Sequence, residues 1–209
     1  VTVHQEAAAI TGIRRAVKEE RDEISLLIGE AFMADPVSGW VFPDEEYRRA
    51  VHPVFFGVYL DAALRDGWVD VTDDLSAAAL WLPVRAADDG AAGGGEDDEL
   101  GERLAGAAPD NDRARVVGEL TGLAHPMDRS HYYLPVIVAA PGRRGQGRGR
   151  ALLTPVLDRC DQEGMPAYLE ASNERSKALY ERLGFVSTGT VVDLPGGPRM
   201  WPMWREPRP

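Results

Sequence analysis

The run PGRRGQGRGRA at Pro141–Ala151 constrains this chain more than any other feature. It holds no large apolar side chain, yet it lies between two segments that can pack a core. His131–Ala140 before it is apolar enough for a strand, and Gly145–Gly164 carries Leu152, Leu153, Val156 and Leu157 at helical spacing. The run is therefore the turn from a strand into a helix. Gly145, Gly147 and Gly149 strip side chains from that turn, so consecutive backbone N–H groups can converge on an anion with the helix dipole behind them. Arg143, Arg144, Arg148 and Arg150 concentrate positive charge there, and a phosphate or pyrophosphate is the ligand expected. Two familiar phosphate loops do not fit. No Gly-Lys pair is followed by Ser or Thr, and Arg150 stands where the dinucleotide pattern needs its third glycine. On this segment alone, a glycine-rich helix start with solvated arginines is the plainer alternative.

The alternation continues downstream. Pro166–Ser172 is expected as a strand, Asn173–Gly184 as a helix, and Phe185–Asp193 with Arg199–Arg205 as a hairpin turned at Pro195–Pro198. Pro202 points to an edge strand. Upstream, Gly12–Val17 reads as a strand feeding a helix over Lys18–Phe32, with Ile24, Leu27, Ile28 and Phe32 on one face. Ala34–Pro43 reads as an aromatic loop, broken by its prolines and glycine. Tyr47, Val51, Val54, Phe55, Val58, Tyr59 and Ala62 trace an apolar stripe along a helix over Asp44–Asp66. Trp68–Val71 and Ala77–Val84 pair as a hairpin. Ala87–Glu99 contains only alanine, glycine, aspartate and glutamate, and is expected to be a mobile, solvated linker. Leu100–His125 follows as two helical pieces broken near Pro109, packing through Val116, Leu120 and Leu123. Strands alternating with helices in this way argue for an α/β sheet.

Charge narrows the function classes. The 209 residues hold 23 Lys and Arg against 34 Asp and Glu, a net charge of −11, which disfavours nucleic acid and acidic membranes as partners. No apolar run approaches the roughly 18 residues of a spanning helix. With one cysteine, Cys160, and no signal-peptide pattern at Val1–Ile10, a cytoplasmic protein is expected. Four scattered histidines and a lone cysteine suggest no metal site.

A second segment raises the value of the glycine turn. Tyr168–Phe185 reads YLEASNERSKALYERLGF, in which Asn173, Ser176, Lys177 and Tyr180 share one side of a helix beside the packing stripe of Leu179 and Leu183. Tyr180 fits two roles: a phenol capping the core, or a general acid that protonates a leaving thiolate.

With both segments in view, the chain resembles the GCN5-related N-acetyltransferase (GNAT) superfamily. The family's Gln/Arg-x-x-Gly-x-Gly/Ala motif is matched by Arg144, Gly147 and Gly149. Within the superfamily the layout resembles puromycin-acetylating members, in LEAS at Leu169–Ser172, in YERLGF at Tyr180–Phe185 and in GPR-x-W-x-M at Gly197–Met203. The resemblance implies an α/β fold with a mixed, mostly antiparallel central sheet of about seven strands, flanking helices, and a splay between the fourth and fifth strands, β4 and β5. It implies acetyl-CoA as cofactor, with CoA as product. Backbone groups of Arg144, Gly145, Gln146, Gly147, Arg148 and Gly149 would hold the pyrophosphate, with Arg150 beside them. Ile137, Val138 and Ala139 would pair with the pantetheine arm, while Asn173 and Tyr180 match the later cofactor-contacting and acid positions. Residues 1–209 would form one domain, with an acceptor-side half (12–84), a linker and inserted helical segment (85–130) and an acetyl-CoA-binding half (131–209). Pro135 departs from a regular central strand and is expected at a bulge where the next strand splays away.

The reaction so implied is direct transfer to a small-molecule amine such as an antibiotic or aminonucleoside, by a monomer or homodimer. Tyr180 would be the acid. Glu170, facing the same way as Tyr168 and Ser172, is the candidate base, although it could equally pair with Arg175 or Lys177. His125 and His131 are further candidates. Asp35, Trp40, Phe42 and Tyr59 are expected to line the acceptor cleft. A protein or peptide acceptor and a non-catalytic acyl-CoA sensor are the competing readings.

Overall fold

The computed structural model describes residues 12–86 and 94–209, without the side chains of 94–98. Eight strands form the sheet: β1 (Ile13–Arg15), β2 (Trp68–Thr72), β3 (Ala77–Val84), β4 (His131–Ala139), β5 (Ala167–Ala171), β6 (Val186–Ser187), β7 (Val192–Asp193) and β8 (Arg199–Arg205). Their order is β1-β2-β3-β4-β5-β8-β6, with β7 also on β8. Every pairing is antiparallel except β4 with β5. The mixed sheet expected from the sequence is present, with one strand more because Phe185–Asp193 is interrupted into β6 and β7.

The parallel pair is short. β4 and β5 are in register only at Tyr132 with Ala167 and Tyr133 with Tyr168, so β4 beyond Tyr133 has no strand partner on that side among the described residues. Its other edge stays paired to β3, but the register slips: Leu80 faces Val136 and Leu82 faces Tyr133, leaving Trp81 opposite both Leu134 and Pro135. This is a β-bulge, and its extra residue reverses which way the side chains point. Tyr132 and Leu134 pack into one core cluster, whereas Val136 and Val138 pack into the other, and Ile137 and Ala139 return to the first. Pro135 costs no ladder hydrogen bond at such a site.

The two clusters are the two faces of the sheet. On one lie α6 (Arg148–Glu163) and α7 (Glu174–Arg182), whose Leu152, Leu153, Val156, Leu157 and Tyr180 meet Ala79, Trp81 and Leu169. On the other lie α1 (Arg21–Phe32) and α3 (Glu45–Asp66), whose Ile24, Ile28, Phe56, Leu60 and Ala63 meet Val71, Leu80 and Val138. A third cluster joins α2 (Pro36–Val41), α5 (Asp112–Ala124) and β7 through Val37, Val117 and Val192.

Several expectations need correction. The Ala34–Pro43 segment contains α2, because Asp35 accepts from the Val37 and Ser38 amides and Pro36 takes the first helical position, where its missing N–H costs nothing. The acidic linker ends earlier than expected. Residues 87–93 lie outside the described residues, but α4 already runs over Gly94–Ala107, with α5 capped by the Asn111 side chain after the break. Leu123 is 86% exposed, and α5 packs instead through Ala114, Val117, Leu120 and Ala124. Tyr47 and Val54 also face solvent, while His52 is buried between Gly29 O and Ser38 Oγ. β8 is not an edge strand. Pro202 O accepts from Thr188 N in the interval between β6 and β7, so the side of Pro202 that lacks a donor faces the gap.

At Gly67 the helix α3 turns into β2, and a Cβ there would lie 1.9 Å from the Trp81 carbonyl oxygen. Backbone rather than a flexible side chain blocks the space, so Gly67→Ala should destabilise the fold by about 2–4 kcal/mol. Urea denaturation of the two proteins measures this, and a change below 0.5 kcal/mol would mean the α3–β2 turn yields freely.

Candidate active site

A cavity of about 1050 Å³ opens where β5 leaves β4. It exceeds slightly the volume typical of a site for one small ligand, which leaves room for two reactants. One end is the glycine turn. Gly142, Gly145 and Gly147 all have positive φ (82°, 78° and 81°), and Gly147 caps α6 without any side-chain hydrogen bond, so the first amides of the helix are free to face a ligand. Gly149 lets α7 approach closely: a Cβ there would lie 3.1 Å from Leu179 Cδ2, which would have to give by a few tenths of an ångström.

The arginines divide into two groups. Arg148, only 2% exposed, turns inward: Nη2 lies 3.1 Å from Asp74 Oδ2, and Nε and Nη1 donate to Ser76 Oγ and Gln146 Oε1. Its side chain ties α6 to the β2–β3 turn and is not a free anion ligand. Arg144 donates to Ala31 O, and Gln146 folds back onto Gly142 O and lies outside the cavity wall. Arg143, Arg144, Arg148 and Arg150 all line the cavity, joined by Arg175 and Arg182 from α7, which the sequence does not mark as anion ligands.

At the middle of the cavity, Glu170 and Tyr180 come in from opposite faces of the sheet. Tyr180 is 5% exposed, packs edge-on against Phe185, and makes no hydrogen bond through its hydroxyl among the described residues. Burial, helped by the charge of Asp35, pushes its pKa well above the ordinary phenol value. Glu170 has a side chain 5% exposed. Its Oε2 accepts from Tyr133 OH at 3.0 Å, whereas its Oε1 has no hydrogen-bond partner among the described residues. Burial raises its pKa to about 7, opposed by the hydroxyls of Tyr168 and Tyr133. The ion pairs considered from sequence are absent, since Lys177 faces Glu181 and the Trp201 ring. A buried carboxylate with a pKa near neutrality and a free oxygen can accept a proton from an amine, and a raised phenol can return one.

Of the remaining expected residues, Ile137, Val138, Ala139, Gly145, Gly147, Gly149 and Asn173 all line the cavity. Asn173 also caps α7 by accepting from the Ser176 amide. Asp35, Phe42 and Tyr59 line the other end, together with Phe55. Asp35 has both oxygens engaged, one by the α2 amides and one by Ser172 Oγ at 2.6 Å, so it fastens the α1–α2 connection to the end of β5. Trp40 is outside the cavity wall and stacks under Arg113 instead. Tyr133 was missed, although the bulge next to it was foreseen. Leu104, Val117 and Thr121 of α4 and α5 also close this end, and nothing in their spacing announced that role.

Residues 68–185 match the Acetyltransferase (GNAT) family. The chain belongs to this family. The same architecture is found in a structure described as histone acetyltransferase HPA2 and related acetyltransferase from Corynebacterium glutamicum, with 25% identity, a TM-score of 0.68, and coverage of 95% of this chain and 97% of that one. Arylalkylamine N-acetyltransferase 2 from Aedes aegypti shares the fold at 14% identity and a TM-score of 0.64, covering 94% and 98%. Among curated relatives, an uncharacterized N-acetyltransferase of Schizosaccharomyces pombe is 39% identical over 59 residues, 28% of this chain and 24% of its own length. Mycothiol acetyltransferase of Streptomyces scabiei is 40% identical over 58 residues, 26% and 19%. These matches thus span a quarter or less of the curated relatives.

GNAT proteins generally use acetyl-CoA as acyl donor, and the division of arginines bears on how this GNAT chain would hold it. Arg148→Met should lower stability by about 2–3 kcal/mol and leave the acetyl-CoA affinity of the folded protein nearly unchanged. Arg150→Ala should do the reverse, weakening acetyl-CoA about threefold to tenfold at constant Tm. Calorimetric binding and thermal melting on both variants check this, and equal behaviour would remove the distinction.

Proposed function

We propose that this protein is an acetyl-CoA-dependent N-acetyltransferase whose acceptor is the amine of a small, partly apolar molecule, an antibiotic or aminonucleoside among the candidates. The observation that carries the reading is the shared cavity, with a stripped helix N-terminus at one end and a free carboxylate oxygen and a phenol at its middle. The residues fit acetyl-CoA. Free amides of the Gly145–Gly149 turn suit the pyrophosphate, Arg143, Arg150, Arg175 and Arg182 suit further phosphate charge, and the unpaired edge of β4 suits an amide-bearing arm. Bound there, acetyl-CoA supplies the thioester.

The acceptor enters as an ammonium and loses a proton to Glu170 Oε1. The neutral nitrogen would bond to the acetyl carbon as the carbon–sulfur bond breaks, Tyr180 OH would give its proton to the departing thiolate, and the second proton of the nitrogen would pass through water to the tyrosinate and restore the phenol. No covalent intermediate on the protein is required. The walls at the acceptor end are aromatic and aliphatic, from Phe42, Phe55, Tyr59, Leu104 and Val117, and helices α4 and α5 close over them. That closure favours a compact acceptor over an extended peptide, for which a long open groove would be needed.

Thiol release from acetyl-CoA with a panel of amines, puromycin included, tests the activity. Tyr180→Phe should lower kcat about 10²-fold with little change in acetyl-CoA binding, and an unchanged kcat would remove Tyr180 as the acid. The pH profile follows from Glu170. A base must be deprotonated to act, so kcat/KM should rise with pH, half-maximal near 7, and Glu170→Gln should abolish that limb. A profile flat from pH 5.5 to 8.5 would exclude Glu170 as the base. With Tyr180 raised above the phenol range, no fall is expected below pH 9.

A further inference from the structure

We propose that the Tyr59 hydroxyl is a recognition group for the acceptor, and that the acceptor is an amine that also carries a hydroxyl, ether or carbonyl oxygen for it to hydrogen-bond. The proposal deepens the reading of the cavity as a site of N-acetyl transfer and rests on it. Its starting point is the set of three phenols around Glu170. Two of them have partners: Tyr133 OH donates to Glu170 Oε2 at 3.0 Å, and Tyr168 OH donates to Ala124 O at 3.4 Å. The third, Tyr59, lines the cavity, and its hydroxyl has no hydrogen-bond partner among the described residues. Burial first, and then the charge of Glu170, push its pKa well above the ordinary phenol value.

Other polar side chains of the acceptor end are already used by the fold. Asp35 is held by the α2 amides and Ser172, and Ser38 shares a hydrogen bond with His52. Asn111 accepts from Ala114 N and donates to Val41 O, while Thr121 donates to Val117 O. The charged groups of α5 there, Asp112, Arg115 and Glu119, are exposed and paired with one another. A compact acceptor that fills this end displaces water from the Tyr59 hydroxyl, and one that offers it nothing leaves a polar group unpaired. A site with such a group discriminates strongly against molecules that lack its complement, whereas apolar walls alone discriminate weakly.

The chemistry of the complement follows from the state of the phenol. Burial keeps the proton on Tyr59, so the hydroxyl is offered as a donor, and an oxygen with a free lone pair is what it pairs with. Its position is fixed as well. Tyr59 stands on the helix α3 rather than on a loop, and its ring packs against the core cluster of the α1–α3 face. The amine nitrogen has to reach Glu170, and Glu170 is the charge that acts on the Tyr59 hydroxyl. The oxygen therefore sits near the amine of the acceptor and not at the far end of its apolar body.

The test uses the full chain, acetyl-CoA and three amines with one phenyl body: phenethylamine, which has no oxygen, phenylethanolamine, which adds a hydroxyl on the carbon next to the one bearing the amine, and phenylalaninamide, which adds a carbonyl. Thiol release gives kcat/KM for each on the wild type and on Tyr59→Phe. For at least one oxygen-bearing amine, its ratio to phenethylamine should fall about tenfold in the variant. A packing defect would lower all three amines together, and comparing ratios also cancels their differing basicities. Because Tyr59→Phe removes no hydrogen bond within the protein, the Tm of the free protein should not fall. Ratios that stay within about twofold for both amines overturn the proposal. So does a fall in Tm of more than about 4 °C, which would mean that the protein itself holds the hydroxyl. All three amines failing as acceptors overturns it too: release from other amines of the panel then leaves the transfer reading standing, whereas no release from any amine removes both.

Discussion

Everything at this site depends on where two strands stop pairing. β4 and β5 are joined through Tyr133 and Tyr168 and no further, and the backbone of β4 beyond that point keeps hydrogen-bonding groups that the sheet does not use. Leaving such groups in a protein interior is costly unless a ligand or water satisfies them. The bulge at Pro135 makes the break tolerable. It places the residue without a donor at the break, and it reverses the side-chain alternation so that Ile137 and Ala139 still meet the α6 face while Val136 and Val138 meet the α1–α3 face. One extra residue thus keeps both cores filled on either side of an opening.

The glycine turn shows how an acidic protein makes a local anion site. The charge of −11 is spread over the whole chain, yet the cavity mouth collects arginines from two helices. Their number alone overstates the site. Arg148 is spent on Asp74 and Ser76, which fastens the first turn of α6 to the β2–β3 turn. Fastening the helix to the sheet and supplying charge are separate tasks given to neighbouring residues of one motif.

Much of this was legible in the sequence, and the unreadable parts share a cause. The strand–turn–helix at Pro141–Ala151, the α7 face carrying Tyr180 and the bulge at Pro135 are local: glycine conformation, helical spacing and the missing proline donor act over a few residues. The misreadings came from tertiary context. Pro202 suggests an edge until β6 and β7 are seen to leave a gap beside it. Arg148 and Arg150 are equivalent in sequence and separated only by Asp74, 74 residues away from Arg148. α2 was hidden because Pro36 and Gly39 signal a break, although proline at a first helical position is favourable. Trp40 looks like a ligand-facing aromatic until the third core cluster and Arg113 of α5 are seen to pack against it. The Glu170 environment is the most distributed of all, since its two tyrosines and His125 come from β4, β5 and the end of α5.

The same physical cause serves the two ends of the proposed reaction in opposite senses. Withdrawal from water disfavours the charged form of any acid. At Glu170 this raises a carboxyl to about 7, which makes the carboxylate a stronger base while leaving it substantially ionised near neutral pH. At Tyr180 it raises a phenol that was already protonated, which guarantees that the acid is loaded. At His125 it lowers a base, which keeps that ring neutral. No special partner is needed to set any of these directions, only a cavity lined by apolar side chains between the faces of a sheet that has come apart. The selectivity lies in placement: the carboxylate projects from the face of α1 and α3, the phenol from the face of α6 and α7, and the break between β4 and β5 is the one place where both can reach the same space.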